Sequence, residues 1–225
     1  MLNSDYINIH THHKPLAINE FVLRNAYLFS QKSDIIQCGF SYGVHPWLVS
    51  QFEWDQVEKT MLQLLVEHKM QAVGETGLDK LKPFWEKQVY FFEQQALLAE
   101  KYRKPVIVHC VKAYYELIPF IKKINTPFIL HGYDGNLFQT KELAKMEQVY
   151  FSFGPRQFKN PEKLKATINF IGRHRIFLET DTYRIPVERV YGEAIKIMNI
   201  NERELIRQIQ QNYERVFSLS SSYNQ

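Results

Sequence analysis

Near its start the chain reads Tyr6-Ile7-Asn8-Ile9-His10-Thr11-His12, an apolar run that ends in two histidines separated by one residue. Side chains at positions i and i+2 of a β-strand point to the same side of the sheet. His10 and His12 can therefore present two imidazoles to a single metal ion at the end of a strand. The stretch favours a strand whose polar end belongs to a metal site.

Later apolar segments repeat this pattern, because each is followed by a residue of a type that binds metal ions. The segments and their following residues are 70–74 with Glu75, 105–108 with His109, 127–130 with His131, and 175–180 with Asp181. A single histidine at a strand end is more often structural than a ligand, and a carboxylate after a strand is often only a helix cap. Six aligned candidates make coincidence improbable and indicate one shared site.

Eight apolar, β-branched runs predict strands, and helical patterns lie between the later ones. The predicted strands cover 6–9, 20–28, 35–44, 70–74, 105–108, 127–130, 149–153 and 176–179. The predicted helices cover 56–67, 86–103, 114–123, 137–148, 161–172, 187–198 and 202–217. Strands that alternate with helices predict a parallel sheet, and eight of them predict an α/β fold of the TIM-type (β/α)8 barrel class. The short gaps after the first two strands predict helices that are shortened or missing there.

Length and composition are those of an ordinary soluble domain. The 225 residues are 45% apolar and 23% charged, which fits one barrel over 1–217, with 218–225 expected to be a disordered tail. No apolar run approaches the roughly 18 residues of a membrane span, and no secretory signal is visible, so we expect a cytoplasmic protein without membrane contact. Two cysteines are too few for a disulfide framework, and a net charge of +4 does not establish nucleic-acid binding.

The six candidate ligands combine imidazoles with carboxylates. They are His10, His12, Glu75, His109, His131 and Asp181. Four histidines favour zinc, manganese or nickel over magnesium, which prefers oxygen ligands, although all four divalent ions stay open. Six ligands are too many for one tetrahedral ion, so we expect two ions, roughly 3.5 to 4 Å apart, bridged by the Glu75 carboxylate. Metal-assisted hydrolysis is the predicted class of reaction.

With these residues, the chain resembles the TatD family of metal-dependent deoxyribonucleases, within the amidohydrolase-type metal-dependent hydrolases. The motifs that carry the resemblance are His10-Thr11-His12, Gly43-Val44-His45-Pro46, Ala72-Val73-Gly74-Glu75-Thr76-Gly77-Leu78-Asp79, Pro105-Val106-Ile107-Val108-His109, His131 with Gly132 and Gly135, Leu178-Glu179-Thr180-Asp181, and Asn212-Tyr213-Glu214-Arg215-Val216-Phe217. The resemblance implies a TIM-type barrel, a divalent metal site at the six candidates, and hydrolysis of phosphodiester bonds, typically in DNA. It also implies that Asp181 accepts the proton of the attacking water, and we expect Glu75 and Asp181 to be the catalytic residues.

Three departures from the family pattern bear on the site. Asn8 stands where the family usually has Asp, and a different charge there is expected to retune the metal. The segment after His131 reads Gly132-Tyr133-Asp134-Gly135 in place of the usual Cys-Phe-Ser-Gly, and 182–186 replaces the usual proline-containing stretch. These changes leave the six candidate ligands intact and affect the substrate surface.

Cations and aromatic rings in the predicted loops suit a single-stranded nucleic acid, although surface lysines and loop-filling rings are also common without one. The candidate substrate contacts are His45, Tyr133, Arg156 and Arg184. For His45, a substrate contact and a loop-stabilising role stay equally open. DNA or another phosphodiester is the expected partner, and no obligate protein partner is evident. A hydrolase of small amides, lactones or phosphoesters on the same metal site is the alternative; a degenerate binding protein would have lost ligands, and none is lost.

Overall fold

The computed structural model describes residues 5–27, 38–67 and 69–217, which form eight strands and seven α-helices. The strands are β1 Tyr6–Thr11, β2 Glu20–Tyr27, β3 Cys38–Gly43, β4 Ala72–Asp79, β5 Val106–Val111, β6 Phe128–Leu130, β7 Val149–Phe153 and β8 Ile176–Leu178. The helices are α1 Trp54–Val66, α2 Trp85–Lys101, α3 Tyr114–Lys123, α4 Leu137–Ala144, α5 Pro161–Ile171, α6 Val187–Met198 and α7 Glu202–Phe217. Short 3₁₀ helices cover Pro46–Gln51, Gln157–Lys159 and Arg173–Arg175.

The strands pair in parallel in the order of the chain, from β1 to β8. A further parallel bridge joins Thr11 to Asp181 and brings the last strand back to the first. Around it, the His12 amide donates to the Asp181 carbonyl at 3.1 Å, and the Asp181 amide donates to the His10 carbonyl at 3.1 Å. The predicted TIM-type barrel is confirmed, and its closure sets Asp181 beside His10 in β1 and beside His12, which directly follows that strand.

Several strands are longer than predicted at their polar ends. β4 continues through Glu75 to Asp79, and β5 continues through His109 to Val111, because the two strands remain paired from Thr76 and Val108 onward. The prediction that Glu75 and His109 follow their strands is therefore corrected: both lie within the strands. Parallel neighbours supply the backbone hydrogen bonds that keep polar residues in an extended conformation.

The predicted shortening of the first helices holds where the structure describes the chain. Residues 12–19 form bends and turns between β1 and β2, with no helix. The segment between β2 and β3 covers 28–37, outside the described residues. The predicted last residue of β2, 28, the predicted first residues of β3, 35–37, and the predicted tail, 218–225, lie outside them too.

The barrel interior and the helix undersides form one apolar core, in which strand residues such as Ile7, Val106 and Phe128 are fully buried. Burial of each large aliphatic side chain stabilises the fold by about 1.5–3 kcal/mol. Helix α7 adds a buried stripe that includes Leu205 and Ile209, and packs on β1 and β8. Among the described helices, none is both long enough and apolar enough to cross a membrane.

Candidate active site

The Glu75 carboxylate lies at the centre of the site, between two pairs of histidines. Its Oε2 lies 3.4 Å from Nε2 of His10 and 3.7 Å from Nε2 of His12. Its Oε1 lies 3.0 Å from Nδ1 of His109 and 2.9 Å from Nε2 of His131. Each oxygen therefore faces a separate pair of the predicted ligand imidazoles, which is the arrangement expected of a bridging carboxylate.

Asp181 adds a second carboxylate to one half of this arrangement. Its Oδ1 lies 3.7 Å from Nε2 of His10 and 3.5 Å from Nε2 of His12. The Asp181 side chain is 34% exposed, whereas that of Glu75 is only 5% exposed. Asp181 is thus the carboxylate of the pair that water or a substrate can reach.

The donor atoms fit divalent ions. Three overlapping groups, each with ligand atoms within 4.8 Å of one another, are His10 with His131 and Asp181, His10 with His12 and Glu75, and His45 with Glu75 and His109. His10 is fully buried, and neither of its ring nitrogens makes a hydrogen bond to any residue that the structure describes. A buried imidazole without a hydrogen bond is costly unless another partner, such as a metal ion, takes its lone pair. All six predicted ligands thus come together in one cluster.

The electrostatics of the cluster favour positive charge between its carboxylates. Burial alone would raise the pKa of Glu75, but the charge of the neighbouring His131 and the hydrogen bond with His109 hold it well below its usual range. Burial alone would lower the pKa of His131, but Glu75 and Glu179 outweigh burial and raise it well above its usual range. A divalent cation brings the same sign of charge to this position.

Two site residues were missed by sequence reasoning. Asn25 on β2 holds the bridging residue from both ends: its side-chain amide donates to Glu75 Oε2 at 3.1 Å, and its carbonyl oxygen accepts from the Glu75 amide at 3.2 Å. Glu179 is buried, accepts from the Gly132 amide at 2.9 Å through Oε1, and places that oxygen 3.5 Å from His131 Nδ1. A carboxylate behind a ligating histidine fixes the ring orientation. Glu179 lies in a motif already singled out, whereas no sequence signal marks Asn25.

His45 lies in the site and also stabilises its loop. Its Nδ1 accepts a hydrogen bond from the Trp47 amide at 3.2 Å, which caps the 3₁₀ helix Pro46–Gln51. With Nδ1 used as an acceptor, a neutral ring carries its proton on Nε2, which lies 3.1 Å from Glu75 Oε1. Burial lowers the pKa of His45, which favours this neutral ring. The loop-stabilising role is therefore present, and both ring nitrogens already have protein partners; the substrate contact of His45 stays a prediction.

The other predicted substrate contacts fall in two environments. Arg156 and Arg184 are exposed and follow β7 and β8, at the C-terminal end of the barrel. Tyr133 is only 2% exposed, its hydroxyl pairs with Thr140 Oγ1 at 2.9 Å, and its ring packs against Phe151. The expectation for Tyr133 is corrected, because packing and the hydroxyl partner hold this side chain in the core.

The expectation that position 8 acts on the metal site is also corrected, because the Asn8 side chain makes hydrogen bonds to Glu20 and Thr180 and not to a candidate ligand histidine. Its amide nitrogen donates to Glu20 Oε1 at 3.0 Å and to Thr180 Oγ1 at 2.9 Å, and its oxygen accepts from the Thr180 amide at 3.1 Å. Glu20 is buried, and an aspartate at position 8 would lack the donors that this carboxylate uses. Asn8 therefore fastens β1 to the segment that carries Asp181.

We expect Asn8→Asp to destabilise the protein by about 2–3 kcal/mol at neutral pH, because it removes two donated hydrogen bonds and sets two buried carboxylates side by side. The melting temperature should fall by about 5–10 °C. Asn136→Asp is the matched control: Asn136 caps α4 by accepting from the Gln139 amide, and Asp caps a helix equally well. Equal melting temperatures for both variants would contradict the role given to Asn8.

A family model for TatD-related DNases matches residues 20–218, which is most of the chain. The chain belongs to this family. The resemblance read from the sequence motifs is thereby confirmed.

The relatives include metal-dependent hydrolases and exonucleases. An uncharacterized metal-dependent hydrolase of Haemophilus influenzae is 26% identical over 165 residues, which are 68% of this chain and 62% of the relative. A 3'-5' ssDNA/RNA exonuclease TatD of Erwinia tasmaniensis is 30% identical over 152 residues, which are 64% of this chain and 58% of the relative. The chain thus spans about three-fifths of the length of the curated relatives it matches.

Solved structures share the fold over almost the entire chain. YjjV, a TatD homologue from Escherichia coli, superposes with a TM-score of 0.81 at 20% identity and covers 97% of this chain and 99% of its own. A TatD family hydrolase of Entamoeba histolytica superposes with a TM-score of 0.76 at 14% identity, covering 96% of this chain and 99% of its own. At these identities the likeness concerns the fold alone.

Proposed function

We propose that this protein is a metal-dependent hydrolase that cleaves phosphodiester bonds in nucleic acid. The observation that carries the proposal is the Glu75 carboxylate, whose two oxygens face two separate histidine pairs. Two-metal sites of this kind serve hydrolysis of phosphate esters. Membership of the TatD-related DNase family and exonuclease-named relatives support the choice of nucleic acid.

Two divalent ions, zinc, manganese, magnesium or nickel, would be held by the six candidate ligands. His10, His12, Asp181 and Oε2 of Glu75 would hold one ion; His109, His131 and Oε1 of Glu75 would hold the other. When bound, such ions lower the pKa of water and stabilise negative charge that develops on a phosphoryl oxygen.

The chain's own residues supply proton transfer and positioning. Asp181 is one-third exposed and accepts the proton of the attacking water as the new phosphorus–oxygen bond forms and the bond to the leaving oxygen breaks. Buried Glu75 stays ionised and orders the four histidines around it. His45 directs an N–H toward the same carboxylate from the loop after β3. Arg156 and Arg184 lie exposed at the strand ends that carry the site, where they can attract phosphates.

Asp181→Asn tests the proposal on end-labelled single-stranded DNA with Mg²⁺, Mn²⁺ or Zn²⁺. We expect stepwise shortening by the wild type, lost with a chelator, and a fall in kcat of about 10²–10⁴-fold in the variant because a proton acceptor is removed. Asp55→Asn, an exposed aspartate in the first turn of α1, is the matched control and should retain full activity.

The opposite results are equally informative. Shortening that persists with Asp181→Asn or with the chelator would point to a contaminant or to a different catalytic group. Intact DNA with every metal would overturn the nuclease proposal, and aryl phosphoesters, amides and lactones would then be assayed as small substrates of the same metal site.

A further inference from the structure

Trp47 is anchored beside the candidate active site from three directions. Its indole N–H donates to Asp79 Oδ2 at 2.7 Å, and its backbone amide donates to His45 Nδ1. Its ring centroid lies 4.9 Å from the ring of His45 and 5.8 Å from that of His109, both in steep edge-to-face contact. The site's own residues therefore hold the indole in one orientation.

Despite these anchors, Trp47 remains 53% exposed. Its polar atom is already satisfied by Asp79, which is almost fully buried, so exposure is not needed to hydrate the N–H group. What faces water is the apolar part of the ring. A rigid, partly exposed indole is the kind of platform on which nucleobases stack.

A cation accompanies the ring. Lys82 Nζ lies 4.4 Å from the Trp47 ring centroid, and the Lys82 amide donates to the Asp79 carbonyl at 3.1 Å, so one buried aspartate supports both residues. Within residues 5–27, 38–67 and 69–217, no carboxylate forms an ion pair with Lys82, whereas Lys80 pairs with Glu116. The exposed Lys82 ammonium is thus available to a phosphate.

We propose that Trp47 stacks on a nucleobase next to the scissile phosphodiester and that Lys82 binds a neighbouring phosphate of the same strand. This inference rests on the proposed function and explains how the site would select a substrate that carries bases. When a base approaches, the long side chain of Lys82 moves from the ring to the phosphate, and the base takes its place on the indole. The pair would distinguish a nucleic-acid strand from a phosphodiester without bases.

Two strands of equal length provide the test: an oligothymidylate and a strand of abasic tetrahydrofuran units. We expect the wild type to hydrolyse the oligothymidylate roughly 5- to 150-fold more efficiently in kcat/KM, the gain of one stacked base, mostly through KM. Trp47→Leu should slow hydrolysis of the base-bearing strand more than that of the abasic strand and so remove most of the difference. Trp47→Phe keeps a ring but lacks the N–H, and should retain most of the preference.

Phe170→Leu is the matched control, because Phe170 is 47% exposed but lies at the C-terminal end of α5, on the opposite end of the barrel. It should leave both rates unchanged. Lys82→Gln should reduce the dependence of log(kcat/KM) on log salt by about 0.7, the value of one phosphate contact on a single strand. Lys82→Arg should restore it.

The possible failures separate the two proposals. Equal wild-type rates on both strands, or Trp47 variants that slow both strands alike, would overturn the stacking role and leave the proposed function intact. If neither strand is hydrolysed with any metal, the proposed function fails. The fluorescence of Trp47, defined as the part of the emission that is lost in Trp47→Phe, then provides the readout. If the oligothymidylate quenches this emission and the abasic strand does not, the stacking role is supported; equal quenching by both strands would refute it.

Discussion

Glu75→Gln is expected to reduce kcat of the metal-dependent reaction by about 10³-fold or more. Two metal ions in the proposed site would together contribute several kcal/mol to stabilisation of transition-state charge, and the Glu75 carboxylate faces both halves of that site. An amide has one acceptor oxygen only, so its NH₂ group must face one of the histidine pairs. The substitution removes the shared ligand without a change in side-chain size.

Metal binding gives this prediction a readout besides activity. An ion present at about 100 times its dissociation constant stabilises the folded protein by about 2.7 kcal/mol, which is about 5–10 °C in the melting temperature of a domain of this size. We expect Glu75→Gln to lose most of this shift and to retain fewer ions per chain in metal analysis. Glu142→Gln changes a half-buried surface carboxylate that pairs with Lys145, and it should behave as wild type. A Glu75→Gln protein with full metal content and activity would refute the bridging role.

Gly77→Ala is expected to destabilise the barrel by about 4 kcal/mol or more. Gly77 has a φ of 153°, which residues with a side chain rarely adopt, and it lies opposite His109 in the pairing of β4 with β5. A Cβ atom there would lie 1.9 Å from the His109 carbonyl oxygen. Because that oxygen belongs to the backbone, the clash can be relieved only if the strands separate.

Thermal unfolding measures the effect. The melting temperature of Gly77→Ala should fall by about 10 °C or more, with loss of the metal-induced shift because His109 is displaced. Gly192→Ala in the middle of α6 is the control: a Cβ there meets no atom within 4 Å, and alanine favours the helix by up to about 1 kcal/mol. If Gly77→Ala melts like the wild type, the close approach of β4 to β5 is not as tight as described.

A helix or strand could be predicted correctly where the residues that specify it are close together in the sequence. Helix α7 has the predicted bounds because its cap at Asn201 and its buried stripe are both local features, and the Asn201 side chain accepts from the Glu204 amide at 2.8 Å. The sequence did not predict the C-terminal part of β4, residues 75–79, because Glu75 and Thr76, taken without their neighbours in space, resemble the end of a strand. Only pairing with β5 keeps them extended, and that pairing joins residues far apart in the chain.

The same distinction applies to the site. The sequence by itself determined the barrel class, the family and the identities of the six residues, Glu75 among them, that meet at the site, because the C-terminal parts of the strands in a parallel barrel and the residues just after them converge on one rim. Tertiary structure alone decided that Tyr133 is buried, that Asn8 serves Glu20 and that Asn25 holds Glu75. Periodicity reveals which side of an element a residue occupies, but a hydrogen-bond partner depends on which distant segment closes over it.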